Sequence, residues 1–196
     1  MTKRIYLASR SPRRAELLQQ IGIEFEVLPS DIDESVVEGE LPADYVVRLA
    51  REKAAACLRA LRDNNAEMLP VLAADTTVSI DGLILGKPEN DEEARAMLQR
   101  MSGQSHEVHT GIAVATAYGM ETALSTTHVQ MALLSESDIA AYVASGEPRD
   151  KAGAYGIQGL AGAFIRHIEG SYSGVMGLPI YETSQLLKGA GVDVLG

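Results

Sequence analysis

The chain has a single cysteine, Cys57, which excludes an internal disulfide framework and any zinc site built on thiolates. It has no apolar stretch approaching the roughly 20 residues that a bilayer-spanning helix needs. The apolar run after Met1-Thr2-Lys3-Arg4 is only Ile5–Ala8, too short for the core of a signal peptide. Positive charge is scarce too, with 17 basic against 27 acidic residues and a formal net charge of −10. That balance argues against a nucleic-acid coat or an anionic-membrane binder, since both need a broad basic face. Low-complexity linkers and internal repeats are absent. At 196 residues and 46% hydrophobic, the expectation is one cytoplasmic domain over 1–196 with a substantial core.

The apolar patterning alternates between strand and helix. Ile5–Ser9 reads as a short buried strand, and Pro12 sits where a first helical turn tolerates proline. Ala15, Leu17, Leu18 and Ile21 continue as an amphipathic helix ending at Gly22. Phe25–Leu28 is a second strand, followed by the polar loop Pro29–Gly39. From Asp44 to Leu61 the spacing is helical, with Val46, Leu49, Ala50, Ala54, Cys57, Leu58 and Leu61 on one face. Val71–Ala74 is a buried strand ending at Asp75, and Thr77–Ile80 leads to an Asp81-Gly82 hairpin signal. A helix at Asp91–Met101 stops before Gly103. His106–Tyr118 and Thr122–Leu134 alternate as a β-ribbon about Gly119. Ser135-Glu136-Ser137-Asp138 fits a capping box opening a helix to Ser145. A glycine-rich segment, Lys151–Gly162, precedes a strand at Phe164–Ile168 and a last helix at Pro179–Leu187. The fold class is α/β, one mixed unit.

Positive charge, though scarce, is concentrated where chemistry could use it. Arg10, Arg13 and Arg14 fall in a strand-to-helix turn, where backbone N–H groups favour anions. Arg13 and Arg14 diverge by about 100° on a helix, so one can take phosphate while the other addresses another part of a ligand. An exposed basic pair is the plain alternative. Lys53 lies on the apolar stripe of its helix, where a lysine either snorkels or meets an anion. Asp75, at the carboxyl end of a strand, can reach a metal or a water, although Asp-Thr also suits a turn cap. Glu34, in the loop cluster Asp31-Ile32-Asp33-Glu34, could be solvated surface or a further oxygen ligand beside Asp75. Lys87 precedes Pro88 and is directed by it. The stretch Gly82–Lys87 is one spacer short of a P-loop and lacks its Ser/Thr. Gln158 sits among Gly153, Gly156, Gly159 and Gly162 and offers donor and acceptor to a base edge; a mobile surface loop is the alternative. His106-Glu107-Val108-His109 has the wrong spacing for a zinc helix, and on a strand its histidines face opposite ways.

Together these segments resemble the Maf family of nucleoside triphosphate pyrophosphatases. The resemblance rests on LAS-x-SPRR at Leu7–Arg14, EKA at Glu52–Ala54, ADT at Ala74–Thr76 and GKP at Gly86–Pro88. It continues in SG-x-x-H-x-V-x-T at Ser102–Thr110, DKAGAYGIQG at Asp150–Gly159 and GLP at Gly177–Pro179. It implies a single mixed α/β domain with an elongated, twisted sheet around a central cleft, similar to inosine triphosphatases. It also implies hydrolysis between the α- and β-phosphates to a nucleoside monophosphate and pyrophosphate, with dTTP and UTP preferred, as a house-cleaning activity. By the family's pattern Asp75, Lys53, Lys87 and Glu34 are catalytic. Ser9, Arg13, Arg14, Thr76 and Gln158 bind substrate, with Arg14, Thr76 and Gln158 setting the base. Asp75 and Glu34 would hold Mg²⁺ or Mn²⁺, Asp75 serving as proton acceptor or as metal ligand. The partner is then a small nucleotide, with neither nucleic acid nor membrane, and a homodimer is compatible with the family. A nucleotide-binding regulator of septum formation without turnover, or a phosphatase removing the γ-phosphate, are the competing expectations.

Overall fold

The computed structural model describes residues 4–194. Among these, seven strands form one mixed sheet in the order β2-β1-β3-β5-β6-β7, with β4 paired to the far half of β3. The strands are β1 (Arg4–Leu7), β2 (Glu24–Val27), β3 (Val71–Ile80), β4 (Leu83–Leu85), β5 (Ser105–Ala115), β6 (Met120–Met131) and β7 (Ile165–Glu169). The helices are α1 (Pro12–Gln20), α2 (Pro42–Asp63), α3 (Asp91–Met101), α4 (Glu136–Ala144), α5 (Tyr172–Met176) and α6 (Ile180–Gly189). Strands β2, β1 and β3 run parallel, whereas β3, β5, β6 and β7 are antiparallel.

The local signals act as their chemistry dictates. Pro12 opens α1, and the Ser135–Asp138 capping box closes in both directions. Asp81 and Gly82 both take positive φ, 52° and 77°, the backbone that a two-residue hairpin needs to follow the strand twist. Cys57 is fully buried in the core, and burial pushes its thiol up to about 11.

One expectation is corrected. β3 does not end at Asp75 but runs unbroken to Ile80, because β5 pairs with it from Val71 to Ser79. The interruption lies in the neighbouring strand. β1 pairs with β3 only at Tyr6–Val71 and Leu7–Leu72 before the chain turns into α1, and β4 takes up that side again at Val78. Between the two, Ala73–Thr77 is an open edge inside the sheet.

Alternation along β3 then sorts the core. On one face Val71 and Ala73 pack under α2 with Tyr6, Ala50, Ala54, Cys57 and Ala113. On the other face Leu72 and Ala74 join Ile5, Leu18, Ile112 and Leu187, under α1 and α6. Val78 and Ile80, further along that same face, join Leu98, Val108, Val129 and Tyr142, under α3 and α4. The residues between these two clusters are polar: Thr76 on β3 faces Thr110 on β5 across the register, and their hydroxyls lie 2.9 Å apart. A polar seam thus divides the core, and α5 docks on it through the Gly174 carbonyl, 2.8 Å from the Thr110 hydroxyl.

On the α2 face, Asp75 is paired in register with Gly111, and α2 descends onto that glycine. A Cβ at Gly111 would lie 2.5 Å from the Val46 carbonyl oxygen. Gly111→Ala is therefore expected to push α2 outward at an overpacking cost of about 1–3 kcal/mol. That should appear as a Tm lower by several degrees, at roughly 2–4 °C per kcal/mol for a chain of this size. A variant that melts at the wild-type temperature would show that α2 is not seated on this residue.

Candidate active site

The open edge of β3 forms the floor of a cleft of about 600 Å³. Its walls come from the β1–α1 turn, the β2–α2 loop, the Gly86-Lys87 segment and the glycine-rich stretch around Tyr155–Gln158. All of Ser9, Arg13, Arg14, Glu34, Lys53, Asp75, Thr76, Lys87 and Gln158 line it. Residues scattered from 9 to 158 in sequence are thus gathered into one space.

Asp75 and Thr76 are consecutive on a strand and point to opposite faces, so the cleft has two chemically distinct sides. On the α2 side, Lys53 reaches down from the apolar stripe, and its Nζ lies 2.6 Å from Asp75 Oδ1 and 2.7 Å from Glu34 Oε1. Lys53 meets anions; it does not snorkel. Its side chain and that of Asp75 are each only 12% exposed, while Glu34 is 54% exposed. Glu34 is held there through its backbone. The Tyr45 hydroxyl donates to the Glu34 carbonyl at 2.9 Å, and Arg48 donates to the Ser35 carbonyl at 3.0 Å while forking onto Glu40 at 2.6 and 2.7 Å. Burial, then the charges of Asp75 and Glu34, push the Tyr45 phenol up to about 12, so it remains a donor at neutral pH.

On the α1 side, Arg14 is buried and spreads its guanidinium over three acceptors. Nε donates to the Gly177 carbonyl at 2.8 Å, Nη1 to Ser9 Oγ at 3.0 Å and Nη2 to Thr76 Oγ1 at 3.2 Å. Burial pulls its pKa down, with Asp75 opposing. Of the five N–H groups of a guanidinium, three are engaged and two remain. Arg13 diverges as the helical offset requires and lies 3.3 Å from Asp150, whose other oxygen is 2.6 Å from Lys151 Nζ. Lys87 and Gln158 are exposed in the cleft, without a hydrogen-bond or ion-pair partner among the described residues. One cation and one amide are therefore free to meet a ligand.

The donor set suits a hard cation. Two carboxylates share one end of the cleft, and Mg²⁺ commonly binds one or two carboxylates with substrate phosphates completing its shell. No group of three or more His, Cys, Asp or Glu side chains among the described residues is arranged as a self-sufficient metal site, and the histidines stay apart as strand geometry requires. His106 bonds Tyr155 at 2.7 Å, and burial pulls its pKa down to about 4. His109 instead lies 3.0 Å from both Ser79 and Thr126 on the other face.

This constellation can be set beside known proteins. The family model described as Maf-like protein matches residues 4–190. The chain belongs to the Maf family. A protein of Methylobacillus flagellatus named dTTP/UTP pyrophosphatase is 67% identical over 98% of this chain and 96% of its own. A Chromobacterium violaceum protein of the same name is 53% identical over 97% and 96%. A Haemophilus ducreyi protein named nucleoside triphosphate pyrophosphatase is 50% identical over 100% and 99%. Among solved structures, the Staphylococcus aureus Ham1 protein is similar over 65% of this chain and 71% of its own, with a TM-score of 0.46 and 15% identity. No helix among the described residues is long and apolar enough to cross a membrane.

Sequence reasoning missed Tyr45, Asp150 and Lys151 as parts of this Maf-like cleft, and Thr110 as the buried hydroxyl beneath Thr76. Tyr45 lies on the same helical face as Lys53, which it precedes by two i+4 steps, so the spacing carried a signal for it. Asp150 and Lys151 stand in the DKAGAYGIQG run but carry no periodicity that would assign them to a site.

Proposed function

We propose that this Maf-family chain hydrolyses nucleoside triphosphates, dTTP and UTP before others, to the nucleoside monophosphate and pyrophosphate. The observation that carries the reading is the bridged triad Asp75–Lys53–Glu34 opening onto the same cleft as the partnerless Lys87 and Gln158. The names of the relatives at 50–67% identity support it.

Hydrolysis adds water across the α–β anhydride: one P–O bond forms, the bond to the bridging oxygen breaks, and pyrophosphate leaves. Arg13, with the N–H groups of the α1 start, takes phosphate oxygens. Lys87 and Lys53 stabilise the charge that grows on the departing pyrophosphate, commonly the largest contribution in phosphoryl chemistry. Asp75 receives the water proton, held in place by Lys53 Nζ at 2.6 Å. Asp75 and Glu34 would hold Mg²⁺ or Mn²⁺, which neutralises phosphate charge when bound. A regulator without turnover has no use for this carboxylate–ammonium arrangement.

Base choice falls to the other side of the strand. A uracil or thymine ring offers two carbonyl acceptors and one N–H donor. Gln158 can supply both complements, and the two remaining Arg14 N–H groups can meet a carbonyl. A site built to satisfy those atoms rejects bases that leave its polar groups unpaired. The test is product analysis on the purified protein with UTP, dTTP, CTP and GTP. Nucleoside monophosphate plus pyrophosphate is expected, with UTP and dTTP ahead by kcat/KM. Release of nucleoside diphosphate would replace this reading with a γ-phosphatase.

A further inference from the structure

The glycine-rich segment is neither a free loop nor a strand. It is wound in short 3-10 turns, and Gly153 to Ile157 are buried while Gln158 is exposed. The winding has an axle. After α4, Glu147 turns inward. Its Oε2 accepts from the Leu160 N–H at 2.9 Å, and its Oε1 accepts from the Ala161 N–H at 3.4 Å and the Tyr142 hydroxyl at 2.9 Å. The Gly156 N–H in turn donates to Tyr142 Oη at 3.3 Å. Both flanks of Gln158 are thus tied to one carboxylate–phenol pair, at Gly156 before it and at Leu160 and Ala161 after it.

The glycines are explained by the same packing. A Cβ at Gly159 would overlap the Glu147 carboxylate, and one at Gly156 would lie 2.7 Å from the Lys151 stem. Lys151 is itself fastened to the Glu147 carbonyl at 2.7 Å. Hydrogen bonds to an ionised acceptor are shorter and stronger than neutral ones, and two backbone donors facing one carboxylate fix orientation as well as distance.

We propose that Glu147 is a positioning residue for base selection: by clamping the backbone on the far side of Gln158, it aims that amide at the nucleotide base. The proposal rests on the assignment of Gln158 to the base. Glu147 touches no substrate; it acts through the segment it holds.

The experiment is a double-mutant cycle on the full chain. Glu147→Gln keeps the shape but leaves one acceptor oxygen where two now serve Leu160, Ala161 and Tyr142, so the clamp loses a donor contact whichever way the amide turns. Measured are kcat and KM for UTP and GTP with wild type, Glu147→Gln, Gln158→Ala and the double variant. Each single variant is expected to lower the UTP-over-GTP ratio of kcat/KM about tenfold, mostly through KM. The double variant should be no lower than Gln158→Ala, because the two residues act as one unit. Amide exchange at Leu160 and Ala161 should quicken in Glu147→Gln. If Glu147→Gln keeps the wild-type ratio while Gln158→Ala loses it, the proposal is overturned and the base assignment stands. If Gln158→Ala keeps the ratio, the assignment falls and the proposal with it. Loss of all nucleotides in equal proportion in Glu147→Gln would reduce Glu147 to a structural role and overturn the proposal as well. Should Glu147→Gln not fold, Tyr142→Phe removes the phenol that ties Gly156 to Glu147. A drop of about threefold in the ratio is then expected, and an unchanged ratio in the folded variant overturns the proposal.

Discussion

Asp75→Asn is expected to lower kcat by about 10³-fold or more while the protein stays folded and still binds nucleotide. The substitution keeps the shape of the side chain and one oxygen for Lys53 to bond, so the contact at 2.6 Å can survive in neutral form. What is lost is the ionised oxygen that takes a proton or a cation, and a positioned acid–base group contributes roughly 10²–10⁴-fold alone. Loss of its hold on a divalent cation, which would neutralise phosphate charge, adds to that. Stability should change little, because Lys53 retains Glu34 at 2.7 Å and no charge is left buried without a partner. The measurements are pyrophosphate release, a melting curve and calorimetric binding of UTP. Wild-type kcat in the purified variant would remove Asp75 from the chemistry and with it the proposed mechanism.

Much of this arrangement was legible in the sequence, and the reasons are local. The stripe Val46, Ala50, Cys57 placed Lys53 on the buried face of its helix, and that is the face lying on Asp75. The 100° offset separates Arg13 from Arg14, and Arg14 does turn inward to Ser9 and Thr76. The break expected at Asp75 lies in β1 instead, because a strand's continuity depends on its neighbours. Nothing in Ala73–Ser79 announces that β5 pairs along it while β1 stops at Leu7. The same limit hid Glu147, whose partners at Leu160 and Ala161 lie beyond any helical or strand period. Helix α5 escaped too: it has five residues with two glycines flanking or inside it, and it exists because Ser171 caps it, Thr110 on the seam bonds its Gly174 carbonyl and Thr127 on β6 bonds the carbonyl of the cap. Contacts made across the fold leave no periodic trace.

Lys53→Met separates two readings of one residue. Methionine suits the apolar stripe and fills nearly the same volume, so a lysine that only snorkelled would be replaced at no cost to rate. In this cleft the ammonium bridges Asp75 and Glu34, and its loss leaves two carboxylates facing each other with nothing between them. Removal of one charge-stabilising contact to a developing phosphate charge costs about 2–4 kcal/mol, so kcat/KM should fall by roughly 10²–10³-fold. The stability cost lies between the 3–5 kcal/mol typical of a broken buried pair and the near-zero cost at a surface. With Lys53 and Asp75 each 12% exposed but Glu34 54% exposed, about 1–2 kcal/mol is expected. Lys53→Arg restores positive charge but with a planar fork in place of a compact ammonium. It should therefore recover the melting temperature more fully than the rate, since geometry at the phosphate is the stricter demand. Steady-state kinetics with UTP and melting curves on both variants decide the matter. Full activity in Lys53→Met would return Lys53 to a packing role and leave Lys87 and Arg13 as the cations that face the triphosphate.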